Sequence, residues 1–187
     1  MKLLLNIILS LFFLLSGCVV QTGTIHKSDK EGYVRYKNRV LNFSVLRPID
    51  WEGRISMGGG YTCKTKEAIN AGLEFRSDDM KYRLGEKYNP SYTTENYLDY
   101  QLALITPEDI GPKLRIRVDT TLLSGRKAYE IEYSYIPTDL GYRLYVNEIF
   151  TIQGQYLYAI FYYGDENSMK KYKQVYTIAK SSFNILK

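Results

Sequence analysis

The chain has 187 residues, 45% hydrophobic and 24% charged, with 25 Lys and Arg against 20 Asp and Glu and a net charge of +5. That is the length of one ordinary domain with a real core, and a mild basic excess without a Lys/Arg-rich block excludes a nucleic-acid-binding arm. Two Cys and a single His exclude a disulfide framework, a Cys-based metal site and most His-dependent triads.

The first eighteen residues read MKLLLNIILSLFFLLSGC. Lys2 precedes an apolar run from Leu3 to Leu15, the layout of a secretory signal. The run is shorter than the roughly 20 apolar residues of a membrane-spanning helix. By itself the segment is a signal cleaved at some nearby site or a short anchor helix. Leu15-Ser16-Gly17-Cys18 resembles the lipobox of bacterial lipoproteins at every position. That resemblance implies loss of residues 1–17, a diacylglycerol on the Cys18 thiol, a fatty acyl group such as palmitate on its amino group, and a cell-envelope address. Two or three chains anchor stably where one holds only marginally. Val19 in place of Asp implies, in a Gram-negative host, the outer membrane facing the periplasm.

Residues 18–32 hold the polar stretch QTGTIHKSDKEG and read as a flexible tether, with His26 a solvated linker residue. The globular domain is expected over 33–187. Val34 and Tyr36, then Leu41, Phe43 and Val45, alternate with polar neighbours and predict two strands with a turn at Lys37 to Arg39; Pro48 stops the second. A Gly-rich loop, GGGYTCKTKEAINAG, shows no period. A brief strand, Leu73 to Ser77, and a polar loop follow. TTENYLDYQLALI is the first helix, capped by Thr93 or Thr94, with Leu98, Leu102 and Ile105 as its stripe and Pro107 as its stop.

Four segments separated by short Gly-containing turns then predict an antiparallel meander: KLRIRVDTTLL and KAYEIEYSYI, which alternate, then YRLYVNEIFTI and YLYAIFYYG. The last is apolar on both faces, so it calls for cover on both sides of the sheet. A second helix from about Asp165 to Lys180 presents Met169, Tyr172, Val175, Tyr176 and Ala179 as one stripe. SSFNIL closes the chain as a short strand.

FSVLRPIDWEG together with the closing strand, acidic-capped helix and SSF is similar to the PsbP-like family over Tyr33 to Leu186. The resemblance implies an α+β fold, an antiparallel sheet sandwiched between helices. It also implies an accessory or assembly protein rather than an enzyme. The metal ions of that family use His and carboxylates, and the domain has no His, so no metal or cofactor is expected.

The expected function is therefore a membrane-anchored, non-catalytic module that binds an envelope protein, with Cys18 as its lipidation site and Trp51, Arg54 and Tyr61 as candidate interface residues. Trp51 has a second reading as a core lid. The alternative is a ligand-binding lipoprotein for envelope glycans or small amphiphiles, suggested by the 19 Tyr; a Tyr-lined groove rather than a flat patch would distinguish it. Catalysis would have to run on Glu130 and Glu132, or on Asp78 and Asp79. Arg115 or Arg117 across the sheet explains the glutamates more simply, as charge pairs. Cys63 is expected to be a small buried side chain.

Overall fold

The structure is a computed structural model, which describes residues 23–56, 60–67, 71–105, 114–137 and 141–186. Eleven strands among these residues form two antiparallel sheets. The smaller has the order β1-β2-β3-β11, from Thr24–Lys27, Tyr33–Asn38, Phe43–Pro48 and Asn184–Ile185. The larger has seven strands in the order β4-β5-β6-β10-β9-β8-β7. These are Glu52–Ile55 (β4), Tyr61–Lys64 (β5), Gly72–Asp79 (β6), Leu114–Leu123 (β7), Arg126–Tyr135 (β8), Leu144–Gln153 (β9) and Tyr156–Gly164 (β10). Four α-helices lie among the described residues: α1 Met80–Leu84, α2 Thr94–Ile105, α3 Glu166–Lys171 and α4 Lys173–Ser182.

The predicted meander is present as β7 to β10. Ser124 and Gly125, at φ 53° and 74°, make the two-residue turn between β7 and β8, whose positive dihedrals match the twist of paired strands. Cover on both faces of β10 is also found. Tyr158, Ile160 and Tyr162 join a core with Phe75 of the neighbouring β6, with Phe43 and Val45 of the small sheet, and with Tyr176 of α4 and Phe183 just after it. Leu157 and Ala159 join a second core with Phe150, Ile131, Met80 and Tyr97, under α1 and α2. The sheet is thus sandwiched, but one of its covers is a second sheet together with helices. Tyr156 at the start of β10 is exposed, and Phe161 and Tyr163 are not fully buried; Phe161 is the one expected to face the core. It is only half-buried, with the Arg76 guanidinium 4.7 Å from its ring centroid.

Several elements differ from the sequence reading. Thr24–Lys27, assigned to the tether, pairs with β2 from Thr24↔Lys37 to Lys27↔Val34, so the folded domain starts before Tyr33. All four residues are exposed; backbone pairing holds the strand, and no apolar alternation announces it. Tyr61–Lys64 is a strand inside the expected Gly-rich loop. The polar segment after β6 holds α1, whose cap is Asp79: its carboxylate accepts from the Lys81 amide at 2.9 Å.

On α2, Thr93 is the cap, and its backbone and hydroxyl exchange hydrogen bonds with Asn96. The buried stripe is Thr94, Tyr97, Gln101 and Ile105, while Leu98 and Leu102 are only half-buried. The stripe turns because Gln101 Nε2 donates to the Tyr97 hydroxyl, which makes an amide acceptable there. The second predicted helix is broken at Tyr172, at φ −104° and ψ 14°. That departure seats the Tyr172 ring edge-on against Trp51, at 5.3 Å and 87°.

Candidate functional site

A groove of about 680 Å³ runs between α3–α4 and the meander strands. Helical spacing builds one wall: Met169, Lys173, Tyr176, Thr177 and Lys180 recur at intervals of three and four, so one helical face borders the opening. Strand alternation builds the floor. Glu130 and Glu132 on β8 share a face, and Asn147 on β9 lies directly opposite Glu132 in the ladder. The volume falls within the range of small-ligand sites.

Apolar and aromatic groups dominate the inside. Tyr162 and Tyr176 stack at 5.1 Å with planes 10° apart, and Tyr145, half-buried, stands at the rim. The Tyr162 hydroxyl donates towards the carbonyls of Ser168 and Met169, at 3.0 and 2.8 Å, which fixes α3 against β10. Asp165 caps α3, accepting from the Ser168 amide at 2.8 Å.

A polar chain crosses the floor. The Tyr176 hydroxyl donates to Glu130 Oε1 at 2.7 Å and lies 3.2 Å from Asn147 Oδ1. Asn147 Nδ2 donates to Glu132 Oε1 at 3.1 Å, and Lys180 Nζ donates to Glu130 Oε2. Arg117 reaches Glu132 at 3.9 Å. Burial first, then the charge of Glu130 and its hydrogen bond, push the Tyr176 phenol far above its ordinary value, so it stays a neutral donor. The two carboxylates are therefore held by a lysine, an arginine, an amide and a phenol. That arrangement orders a polar floor.

The residues chosen from sequence are scattered. Cys18 lies outside the described residues. Trp51, 4% exposed, is packed inside the core, its carbonyl accepting from Arg47 at 2.6 Å. Tyr61, also 4% exposed, is stacked on Tyr36 at 3.6 Å. Its phenol fills the space above Gly53, where a Cβ would stand 1.9 Å from the hydroxyl oxygen. Of the three candidate interface residues only Arg54 is exposed: Tyr61 on β5 turns inward onto Tyr36, and Trp51, just before β4, packs against Tyr172. The expected interface does not exist as one surface.

Arg117 does face Glu132, as expected, but Glu130 turns to α4. Asp78 pairs with Arg83, and Asp79 is spent on capping. His26 is exposed on β1, with Nε2 2.8 Å from the Thr24 hydroxyl. Cys63 is fully buried, and burial pushes its thiol up to about 12, which makes it inert. The groove itself was hidden from sequence reading because its walls come from β8, β9, α3 and α4; only the stripe Met169–Tyr176 and the pair Glu130/Glu132 pointed to it.

The other face of the large sheet carries a buried polar cluster. Glu148 on β9 is 1% exposed and its Oε1 lacks a hydrogen-bond partner among the described residues. Burial pushes its carboxyl up to about 8, against the lowering influence of Arg76 and Arg83. Those two arginines are engaged by Glu74 and Asp78. Among the described residues no helix is long and apolar enough to cross a membrane.

No family model matches the sequence, and no curated protein sequence matches it. Among solved structures, cyanobacterial PsbP (CyanoP) from Synechocystis sp. PCC 6803 superposes with a TM-score of 0.60 at 14% identity, covering 87% of this chain and 98% of that one. A Pseudomonas aeruginosa protein of unknown function gives 0.48 at 11% identity, over 83% of this chain and 91% of its own. LpqN of Mycobacterium tuberculosis, involved in cell envelope biogenesis, gives 0.47 at 10%, over 89% and 91%. The likeness to CyanoP spans nearly all of that protein and is one of fold: this chain has the α+β, PsbP-like fold.

Proposed function

We propose that this protein is a non-catalytic accessory module of the cell envelope, anchored by lipid on Cys18, and that it works by binding an amphiphile in the groove between α3–α4 and the meander. The observation that carries the reading is the composition of the groove. Its tyrosines and Met169 offer an apolar, aromatic wall, while Glu132 and Asn147 form a fixed polar floor. Such a surface suits an occupant with an apolar body and a few hydrogen-bonding groups. A short apolar segment of an envelope protein and a free small amphiphile share that chemistry. The groove form, rather than a flat patch, favours the second source.

The experiment is extraction of the full chain from its native membrane, followed by native mass spectrometry. Wild type is expected to carry a non-covalent small-molecule adduct, or to co-extract one protein in stoichiometric amount. Thr177→Trp, an exposed position on the groove wall, should lose either occupant without loss of stability. Bare wild-type protein, or occupancy unchanged in the variant, would refute the groove as the site. The anchor has a separate readout: Cys18→Ser should abolish metabolic fatty-acid labelling, and label persisting in that variant would refute the lipid.

A further inference from the structure

The large sheet ends at β7 on one side, and no described strand pairs with its outer edge. This is an unusual edge for this molecule. The other sheet ends are strands of four residues or fewer, β4, β1 and β11, whereas β7 has ten. Long open edges are templates for pairing, and proteins normally blunt them. Here the edge also keeps apolar side chains in water: Ile116 is 39%, Val118 37% and Leu122 62% exposed. They alternate, so they share one face of the strand. Arg117 and Asp119 share the other, and they already form an ion pair at 2.8 Å, with side chains 65% and 45% exposed.

We propose that β7 pairs antiparallel with β7 of a second copy, about a two-fold axis between the two Val118 residues, so that the sheet continues through the dimer. The charge pattern selects this register. A two-fold perpendicular to a sheet keeps each face on the same side, so a residue meets only residues of its own face. Centring on Val118 sets Arg117 of each copy opposite Asp119 of the other, twice, and sets Ile116 opposite Thr120. A shift of one residue one way opposes Arg117 to Arg117. A shift the other way opposes Asp119 to Asp119. Opposite charges directly across a strand pair are favourable and like charges unfavourable, so the neighbouring registers are disfavoured by the same two residues that favour this one. The bulge between Leu114 and Arg117 ends the regular ladder and keeps the pairing short. The interface is isologous, so it closes at two copies instead of growing into a fibre.

The test is cysteine crosslinking of the full chain in its native membrane. Residues facing each other across a two-fold stand about 5 Å apart at Cα, within disulfide range. Val118→Cys is expected to give a covalent dimer on a non-reducing gel, at least ten-fold above Ile116→Cys or Thr120→Cys alone. Ile116→Cys and Thr120→Cys expressed together should crosslink to each other. Charge reversal supplies an independent arm in sedimentation velocity, in density-matched detergent. Arg117→Asp and Asp119→Arg should each weaken self-association at least ten-fold with little change in melting temperature, and an equimolar mixture of the two should restore it. Crosslinking at Thr120→Cys equal to that at Val118→Cys, or a mixture no better than its components, would overturn the proposal.

Discussion

Replacing Phe150 with Ala is expected to lower the unfolding free energy by about 3–5 kcal/mol, the usual range for a buried Phe. Phe150 lies on β9 with Tyr129 opposite it on β8 and Ala159 opposite it on β10. Its ring is fully buried and meets Tyr97 of α2 edge-to-face, at 4.8 Å and 79°. It therefore joins the sheet to its helical cover, and few atoms stand ready to refill the space. Phe161→Ala on the adjacent strand should cost less, because that ring is only half-buried and loses an arginine contact instead of a core. Denaturant unfolding with a constant m-value checks both. A loss below about 1 kcal/mol for Phe150→Ala would contradict its place between the sheet and α2.

The second large effect is on pH dependence. Burial pushes the Glu148 carboxyl up to about 8 in the folded protein, from the ordinary carboxylate value of 4.5. Its folded pKa is raised, so between those values the folded state binds more protons than the unfolded state. Stability therefore falls as pH rises through this window, by about 1.4 kcal/mol per pH unit from this group. The penalty is absent below pH 4.5 and complete above about 8. Glu148→Gln keeps the shape and removes the charge. The variant should match wild type in acid and exceed it increasingly towards pH 8, with the difference levelling off beyond. Denaturant midpoints for both proteins from pH 4 to 9 measure the divergence. Parallel curves would show that Glu148 is ionised at no cost in the folded protein.

Where apolar residues alternated strictly, the sequence was readable. KLRIRVDTTLL and KAYEIEYSYI each carry a period of two, and the Ser124-Gly125 turn between them left little choice of pairing. The places it misled share a different physics. β1 has no buried residue, so its order comes from backbone pairing to β2, which no side-chain pattern records. β5 follows a run of glycines that read as a loop, and its Tyr61 packs over the bare Gly53 of β4, a pairing across strands that no local pattern records. On α2 the leucines attracted the eye, yet Tyr97 and Gln101 satisfy each other and take the interior. Tyr61 looked like a contact residue by type, and Trp51 had a reading as a core lid, which holds. Tyr36, stacked on Tyr61, and Tyr172, edge-on to Trp51, make both part of the core. The groove combines both lessons. Its α4 wall follows from a helical stripe, and its floor from two glutamates of one strand face, but the pairing of Glu130 with Lys180 and Tyr176 spans about a quarter of the chain and appears only in the fold.

The most direct test of the account is site-specific photo-crosslinking in living cells. A photoreactive residue is placed at Thr177 or Lys173, on the groove, and in a control at Tyr82, which is 93% exposed on α1, over the other face of the sheet. Both groove positions are expected to capture the same occupant and Tyr82 none, and Ser181→Trp at the end of the groove should suppress the capture from Thr177. Capture from Tyr82 alone, or from all three positions alike, would place the binding surface elsewhere and contradict the central claim.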